Sequence, residues 1–210
     1  MDKLLIFDLD DTIFETKTMG KGSMEPILGK FEIISIQKYS TTTTRKIIAE
    51  LWKYPFDFVA NKYEFGNQLI KEFSDLINET DYSLDIKPFK DFEHIKKITS
   101  DKILVTTGFP KLQKAKIESL RITQEFSDIY IDNVLDPNRI FKKGIFEKIL
   151  SQKCVDQKSV FIIGDNTESE IKAGYELGLN TIQVSKLGQK KSKYSNYNIS
   201  NYSELLEIIN

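Results

Sequence analysis

Short apolar runs and longer amphipathic stretches alternate along much of this chain. "KLLIFDL" (3–9) is a continuous apolar run, the pattern of a strand buried on both faces. The same pattern returns in "DKILVTTG" (101–108), "FSDIYIDN" (126–133), "SVFIIGD" (159–165) and "NTIQVS" (180–185). Helical periodicity lies between these runs. "PFKDFEHIKKITS" (88–100) spaces Phe89, Phe92, Ile95 and Ile98 along one helix face, and "PKLQKAKIESL" (110–120) opens on a proline suited to a first helical turn. "KGIFEKILSQ" (143–152) and "ESEIKAGYELG" (168–178) predict two more helices, the second stopped by Gly178, and "YSELLEIIN" (202–210) a closing one. Alternation of this kind from residue 88 onward predicts a doubly wound parallel α/β sheet of Rossmann-like form.

Residues 15–86 break the rhythm. "ETKTMGKGSMEPILGK" (15–30) is polar and weakly patterned, and "FEIISIQKYS" (31–40) fits either a strand or a helix. Residues 40–65 read as a capped helix interrupted near Pro55, and "GNQLIKEFSDLINE" (66–79) as another. The expectation is a core domain formed by 1–14 and 87–210, with a mainly helical insert, 15–86, standing over the carboxyl end of the first strand.

Composition removes several classes of function. The chain has 210 residues, 40% of them hydrophobic, and a formal net charge of -1, so nothing electrostatic favours nucleic acid or an anionic membrane as a partner. No apolar run approaches the length of a membrane span, and the N-terminus has no signal-peptide layout. Cys154 is the single cysteine, which excludes an intrachain disulfide and fits a reducing cytoplasm. A small-molecule ligand is the expected partner.

The chemistry concentrates where strands hand over to loops. Asp8 and Asp10, two residues apart on an extended segment, point the same way. Like-charged carboxylates at that spacing repel, and a bound cation is the simplest compensation. "VTTG" adds Thr106, Thr107 and Gly108, "FKKG" adds Lys142 and Lys143, and "IIGDNTESE" adds Asp165 and Glu170. Asp8 and Asp165 are hard oxygen ligands for Mg²⁺, a lysine offsets charge and contacts a phosphoryl oxygen, and a threonine hydroxyl with backbone N–H groups binds another. One carboxylate is then left for attack on phosphorus and one for proton transfer, the pattern of an aspartyl-phosphate mechanism.

"DLDDT", "LVTTG", "KKG" and "GDNTESE", in that order, resemble the four motifs of the haloacid dehalogenase superfamily of phosphohydrolases. The resemblance implies Asp8 as nucleophile and Asp10 as general acid/base, with the Asp10 backbone carbonyl also on Mg²⁺. It implies Thr106 as a phosphoryl contact, Lys143 as the lysine that steadies Asp8 and the phosphoryl oxygens, Asp165 as a metal ligand and Glu170 as a neighbour of the metal or lysine. Lys143 is preferred to Lys142 because "KGIFEKI" is similar to the helix start of small-molecule phosphatases, although many relatives carry lysine followed by proline there. The insert would be the helical cap that selects substrates. Dehalogenases of this superfamily generally lack an aspartate two residues after the nucleophile, so Asp10 favours phosphate esters. The implied function is Mg²⁺-dependent hydrolysis of a small phosphorylated metabolite, with a phosphomutase or phosphotransferase, or a non-catalytic phospho-ligand binder, as alternatives.

Other residues have plainer readings. His94, the only histidine, and Cys154 are expected to be structural. Core packing is the default for Trp52, Phe56, Phe58, Tyr63 and Phe65 in the insert, with the stretch from Trp52 to Phe58 as candidate substrate contacts and Lys62 as a partner for a substrate anion. The lysine- and tyrosine-rich "SKLGQKKSKYSNYNIS" (185–200) reads as a solvated loop.

Overall fold

A computed structural model describes residues 3–209, apart from the side chains of residues 20–23, 25 and 26. Six parallel strands form one sheet in the order β3-β2-β1-β4-β5-β6. They are β1 (Leu4–Phe7), β2 (Asp101–Gly108), β3 (Asp128–Asn133), β4 (Val160–Gly164), β5 (Asn180–Val184) and β6 (Tyr197–Ile199). The expected α/β architecture is therefore present. Its strand order reverses at β1, which puts a crevice at the carboxyl ends of β1 and its neighbours.

The continuous apolar runs have the predicted cause. Alternate residues of each central strand serve opposite faces. Leu5, Phe7, Leu104, Ile163 and Ile182 enter one buried cluster, whereas Leu4, Ile6, Ile103, Val105 and Ile162 enter the other. Helices α1 (Gly20–Ser35), α2 (Thr41–Leu51), α3 (Phe56–Lys62) and α4 (Asn67–Glu79) come between β1 and β2. They are followed by α5 (Glu93–Lys96), α6 (Pro110–Leu120), α7 (Phe141–Lys153), α8 (Lys172–Glu176) and α9 (Tyr202–Ile209). Ile95, Ile117 and Leu205 from α5, α6 and α9 pack in the first cluster; Ile145, Phe146 and Ala173 from α7 and α8 pack in the second.

Three local expectations change. Residues 20–35 form a continuous helix rather than an undecided segment, because Met24, Ile27, Leu28 and Phe31 recur at helical spacing and are all buried. The helix expected over 88–100 shrinks to a 3₁₀ turn at Lys90–Phe92 and the single-turn α5. The segment 185–200 is not loop throughout: β6 pairs Ile199 with Val184, and burial of Ile199 outweighs the polar sequence around it. The break foreseen near Pro55 is real, since α2 ends at Leu51 and Pro55 caps α3. Ser40 caps α2 by accepting from the Thr43 amide at 3.2 Å.

The helical insert does not have a separate core. Phe56 stacks on Phe73 with centroids 5.0 Å apart, and both meet Phe109, at 5.2 and 5.8 Å, where β2 gives way to α6. A polar tie runs beside this aromatic joint. Arg139 reaches Asp57 of α3 with one nitrogen while its Nε donates to Asp132 Oδ1 at 3.0 Å. These contacts fix the insert above the carboxyl edge of the sheet.

Candidate active site

β1 ends at Phe7, and the Asp8 amide donates to the Ile163 carbonyl at 2.9 Å, so Asp8 is held against the end of β4. The chain then turns through Asp11 in the left-handed region (φ 53°), a conformation aspartate tolerates better than most residues. Asp11 Oδ1 accepts from the Thr16 amide at 2.7 Å, which closes the turn. All three aspartates border the cleft, and Asp11 in addition shapes the loop.

One carboxylate oxygen from each of Asp8, Asp165 and Glu170 lies within 4.8 Å of the others. Gly164 makes this possible: a Cβ there would stand 2.3 Å from Glu170 Cγ, so only glycine lets Glu170 fold back under the end of β4. Lys142 Nζ donates to Asp8 Oδ1 at 2.5 Å and to Glu170 Oε2 at 2.7 Å, and Glu170 Oε1 accepts from the Asn166 amide at 2.7 Å. Burial pushes the Asp8 carboxyl up to about 7, helped by Glu170 and Asp10 and opposed by Lys142. Burial likewise pushes Asp165 up to about 8, aided by the negative charges of Glu170 and Asp8. For Lys142 burial disfavours the charge, but the two carboxylates outweigh it and hold the ammonium above its ordinary range.

In this structure the lysine that meets Asp8 is Lys142, not the expected Lys143. Lys143 points outward and pairs with Glu176 at 2.8 Å, half-exposed, while its neighbour Lys142 is the buried cation on Asp8. Phe141, at φ 56°, bends the chain at the first residue of α7, and the helix then carries Lys142 inward. Glycine after Lys143 is not evidence of which lysine faces the site.

Asp10 has its own surroundings. Its Oδ1 accepts from Lys116 Nζ at 2.7 Å and its Oδ2 from Gln113 Nε2 at 2.9 Å. Gln113 also reaches Thr106 Oγ1 at 2.5 Å, and Thr106 is fully buried. Thr107 and Gly108, not Thr106, line the cleft, and Thr107 Oγ1 donates to Asp132 Oδ2 at 3.0 Å. Gln113 and Lys116 were missed in the sequence, where they look like ordinary polar positions of α6. Their signal was spacing, since residues three apart share a helix face, and that face begins immediately after "VTTG". Arg139, Asp132 and Asp57 carried no local signal.

The donors fit a divalent cation. Asp8, Asp165 and Glu170 bring three carboxylates together, and Lys142 pairs with two of them, Asp8 and Glu170. Glu170 is already engaged by Lys142 and the Asn166 amide, so Asp8 and Asp165 have the oxygens best placed as ligands. Thr12 Oγ1 sits between them, 3.5 Å from Asp8 Oδ2 and 3.4 Å from Asp165 Oδ1. Gln189 Nε2 approaches Asp165 Oδ2 at 3.3 Å.

The fold and site define an α/β protein with an acidic, lysine-braced centre at the switch point of a parallel sheet. Residues 5–184 match the family described as haloacid dehalogenase-like hydrolase, and the chain belongs to that family. No curated protein matches the sequence. Similar solved structures include a candidate phosphatase from Clostridium difficile, at 17% identity and TM-score 0.68, covering 100% of this chain and 99% of that one. A candidate HAD-hydrolase, YfnB from Bacillus subtilis, bound to magnesium, is similar at 18% identity and TM-score 0.63 over 100% and 99% of the two chains. The L-2-haloacid dehalogenase of Xanthobacter autotrophicus is similar at 11% identity and TM-score 0.62 over 100% and 98%. Among the described residues no helix is long and apolar enough to cross a membrane.

Proposed function

We propose that this hydrolase is a Mg²⁺-dependent phosphatase of small phosphomonoesters, working through an aspartyl-phosphate on Asp8. The observation that carries the reading is Asp10, a second carboxylate facing the same cleft and held by Lys116 and Gln113 rather than by the Lys142 group. An enzyme that displaces halide needs no acid for its leaving group, whereas an ester oxygen must be protonated. The structural likeness to dehalogenases reflects shared fold, and the likeness to a candidate phosphatase is of the same kind.

Asp8 attacks phosphorus, a bond forms from its carboxylate oxygen, and the ester P–O bond breaks as the Asp10 carboxyl gives its proton to the departing oxygen. Asp10, now a carboxylate, takes a proton from water, which attacks the phosphoryl group and releases Asp8 and inorganic phosphate. Lys142 holds Asp8 in place through both steps and faces the charge on the phosphoryl oxygens. Thr107 and Gly108 border the space for that group. Asp8, Asp165 and the Asp10 carbonyl would hold Mg²⁺, with Glu170 beside them. When bound, Mg²⁺ supplies charge neutralisation to the phosphoryl group and the carboxylates.

The insert, approximately residues 15–86, acts as the cap. Its residues Trp52, Tyr54 and Phe58 line the cleft, so they, and not the motif residues that handle every phosphoryl group alike, set selectivity. Lys62, the partner expected for a substrate anion, is not among the residues that line the cleft and pairs with Glu50 at 2.7 Å. A mutase or phosphotransferase would use the same Asp8 and Asp10, with a hydroxyl in place of water.

The deciding experiment is phosphate release from a panel of phosphorylated metabolites, with Mg²⁺ and with EDTA, by the wild type and Asp8→Asn. Expected is turnover that needs Mg²⁺ and falls by more than about tenfold in Asp8→Asn, a barrier increase above about 1.4 kcal/mol. Full activity in EDTA, or an active Asp8→Asn, overturns the reading.

A further inference from the structure

The large exposed aromatic side chains are unevenly distributed. Trp52 (37% exposed), Tyr54 (48%), Phe58 (51%) and Phe141 (57%) all line the cleft that contains Asp8, whereas among the described residues the other strongly exposed aromatics are Tyr175 and Tyr197. Three of the four come from the insert and one from the core, so they border the cleft from both sides. Core packing, the default reading of the sequence, holds for Phe56 and Phe65, which are buried, but not for Trp52 or Phe58.

Phe141 is the most informative. It occupies a left-handed backbone conformation (φ 56°) that a bulky residue adopts at a cost, directly before the site lysine. Its ring lies 4.4 Å from the Arg139 guanidinium carbon, and Arg139 is itself locked by Asp132 and Asp57. The ring is therefore held in place while more than half of it stays uncovered. On the insert, Tyr54 and Phe58 pair with centroids 5.2 Å apart, forming a second aromatic surface in the lining of the same cleft.

The cleft has a volume of about 1180 Å³, far more than a phosphoryl group needs. Several charged side chains of its lining are paired with one another: Lys143 with Glu176, Lys172 with Glu168, and Asp57 with Arg139. A polyhydroxylated leaving group would need many free hydrogen-bonding partners, while a flat ring needs faces. Resting on the phosphatase reading, we infer that the ester's leaving group carries an aromatic or heteroaromatic ring, held between Phe141 and the aromatic edge formed by Trp52, Tyr54 and Phe58.

Nucleoside 5′-monophosphates, one purine and one pyrimidine, compared with ribose 5-phosphate isolate the ring, because the departing oxygen is the same primary alcohol in each. The expected result is kcat/KM at least about tenfold higher for a ring-bearing ester, a ratio that Trp52→Leu and Phe58→Leu each pull toward one. A purely structural role for these residues would lower both values and leave the ratio unmoved. Trp52 is the only tryptophan, so its fluorescence gives a readout without turnover: the free nucleoside should perturb it and ribose should not. Equal kcat/KM for all the esters, or a ratio indifferent to both variants, overturns the inference. Acetyl phosphate, a ringless activated donor, separates the two failures. If it is hydrolysed with no preference for rings, the phosphatase reading stands and the ring assignment falls; if neither it nor any ester is hydrolysed, both fall.

Discussion

Lys142 Nζ sits 2.5 Å from Asp8 Oδ1, joining two residues 134 positions apart in the chain. The pair is buried, and each side chain is only 7% exposed. An ion pair so placed is a poor source of stability by itself, because desolvation offsets its attraction. Its value here lies in the position it imposes on Asp8. Lys142→Met should reduce kcat at least about a hundredfold, whereas Lys143→Met, which removes only an exposed partner of Glu176, should stay within about twofold. Rates of phosphate release by the two variants, with circular dichroism to confirm folding, check this directly. A larger loss in Lys143→Met would restore the sequence-based assignment.

Asp10 depends on α6. Lys116 Nζ, its side chain 7% exposed, and Gln113 Nε2 hold the two Asp10 oxygens at 2.7 and 2.9 Å. Removing either donor should loosen the proton-transferring group more than it weakens substrate binding. Gln113→Ala and Lys116→Met are each expected to lower kcat about tenfold with a smaller change in KM, while Asp10→Asn costs roughly a hundredfold or more. Steady-state kinetics on the best substrate would show it; a change confined to KM would mean that these residues contact substrate instead.

Arg139 joins the insert to the core with unequal stakes at its two ends. Asp132 is 2% exposed as a side chain and Asp57 34%. Arg139→Met leaves the Asp132 carboxylate buried and stripped of its strongest partner, at a cost of about 3–5 kcal/mol. Asp57→Ala removes the more exposed member and should cost on the order of 1 kcal/mol. For a chain of this size the first should lower Tm by roughly ten degrees and the second by a few. Calorimetric melts of both variants distinguish the two ends; equal shifts would contradict the unequal burial.

The carboxyls of Asp8 and Asp165 are pushed up to about 7 and about 8, first by burial and then by the negative charge of neighbouring carboxylates, Glu170 in both cases. Without metal, these two groups therefore hold more protons in the folded chain than in the unfolded one between about pH 4 and 8, and their contribution to stability falls as pH rises through that window. A divalent cation competes with those protons, so its affinity rises with pH. The increase in Tm caused by Mg²⁺ should be larger at pH 8 than at pH 6, and should be lost in Asp165→Asn. Melts with Mg²⁺ or EDTA at the two pH values provide the check, and a pH-independent increase would place the metal elsewhere.

Much of this protein was determined by local pattern. Runs such as "LLIF" and "VFIIG" are buried on both faces because every residue in them is apolar, so their reading as central parallel strands needed no tertiary information. Asp8, Asp10 and Asp165 were legible for a related reason: carboxylates that end a buried strand must find compensation nearby, and the chain repeats that arrangement. What tertiary structure decided was direction. Lys142 and Lys143 are neighbours with the same side chain, and only the bend at Phe141 chooses which one enters the site. Met24, Ile27 and Phe31 look weakly patterned until helix α1 meets the aromatic layer of α3 and α4. Lys116, Gln113 and Arg139 acquire partners from segments far off in sequence, and Phe58 parts company with Phe56 because α3 has two sides and only one faces the core. Short-range chemistry is written in the order of residues; which of two equivalent side chains meets a distant partner depends on backbone direction and packing, which no local window contains.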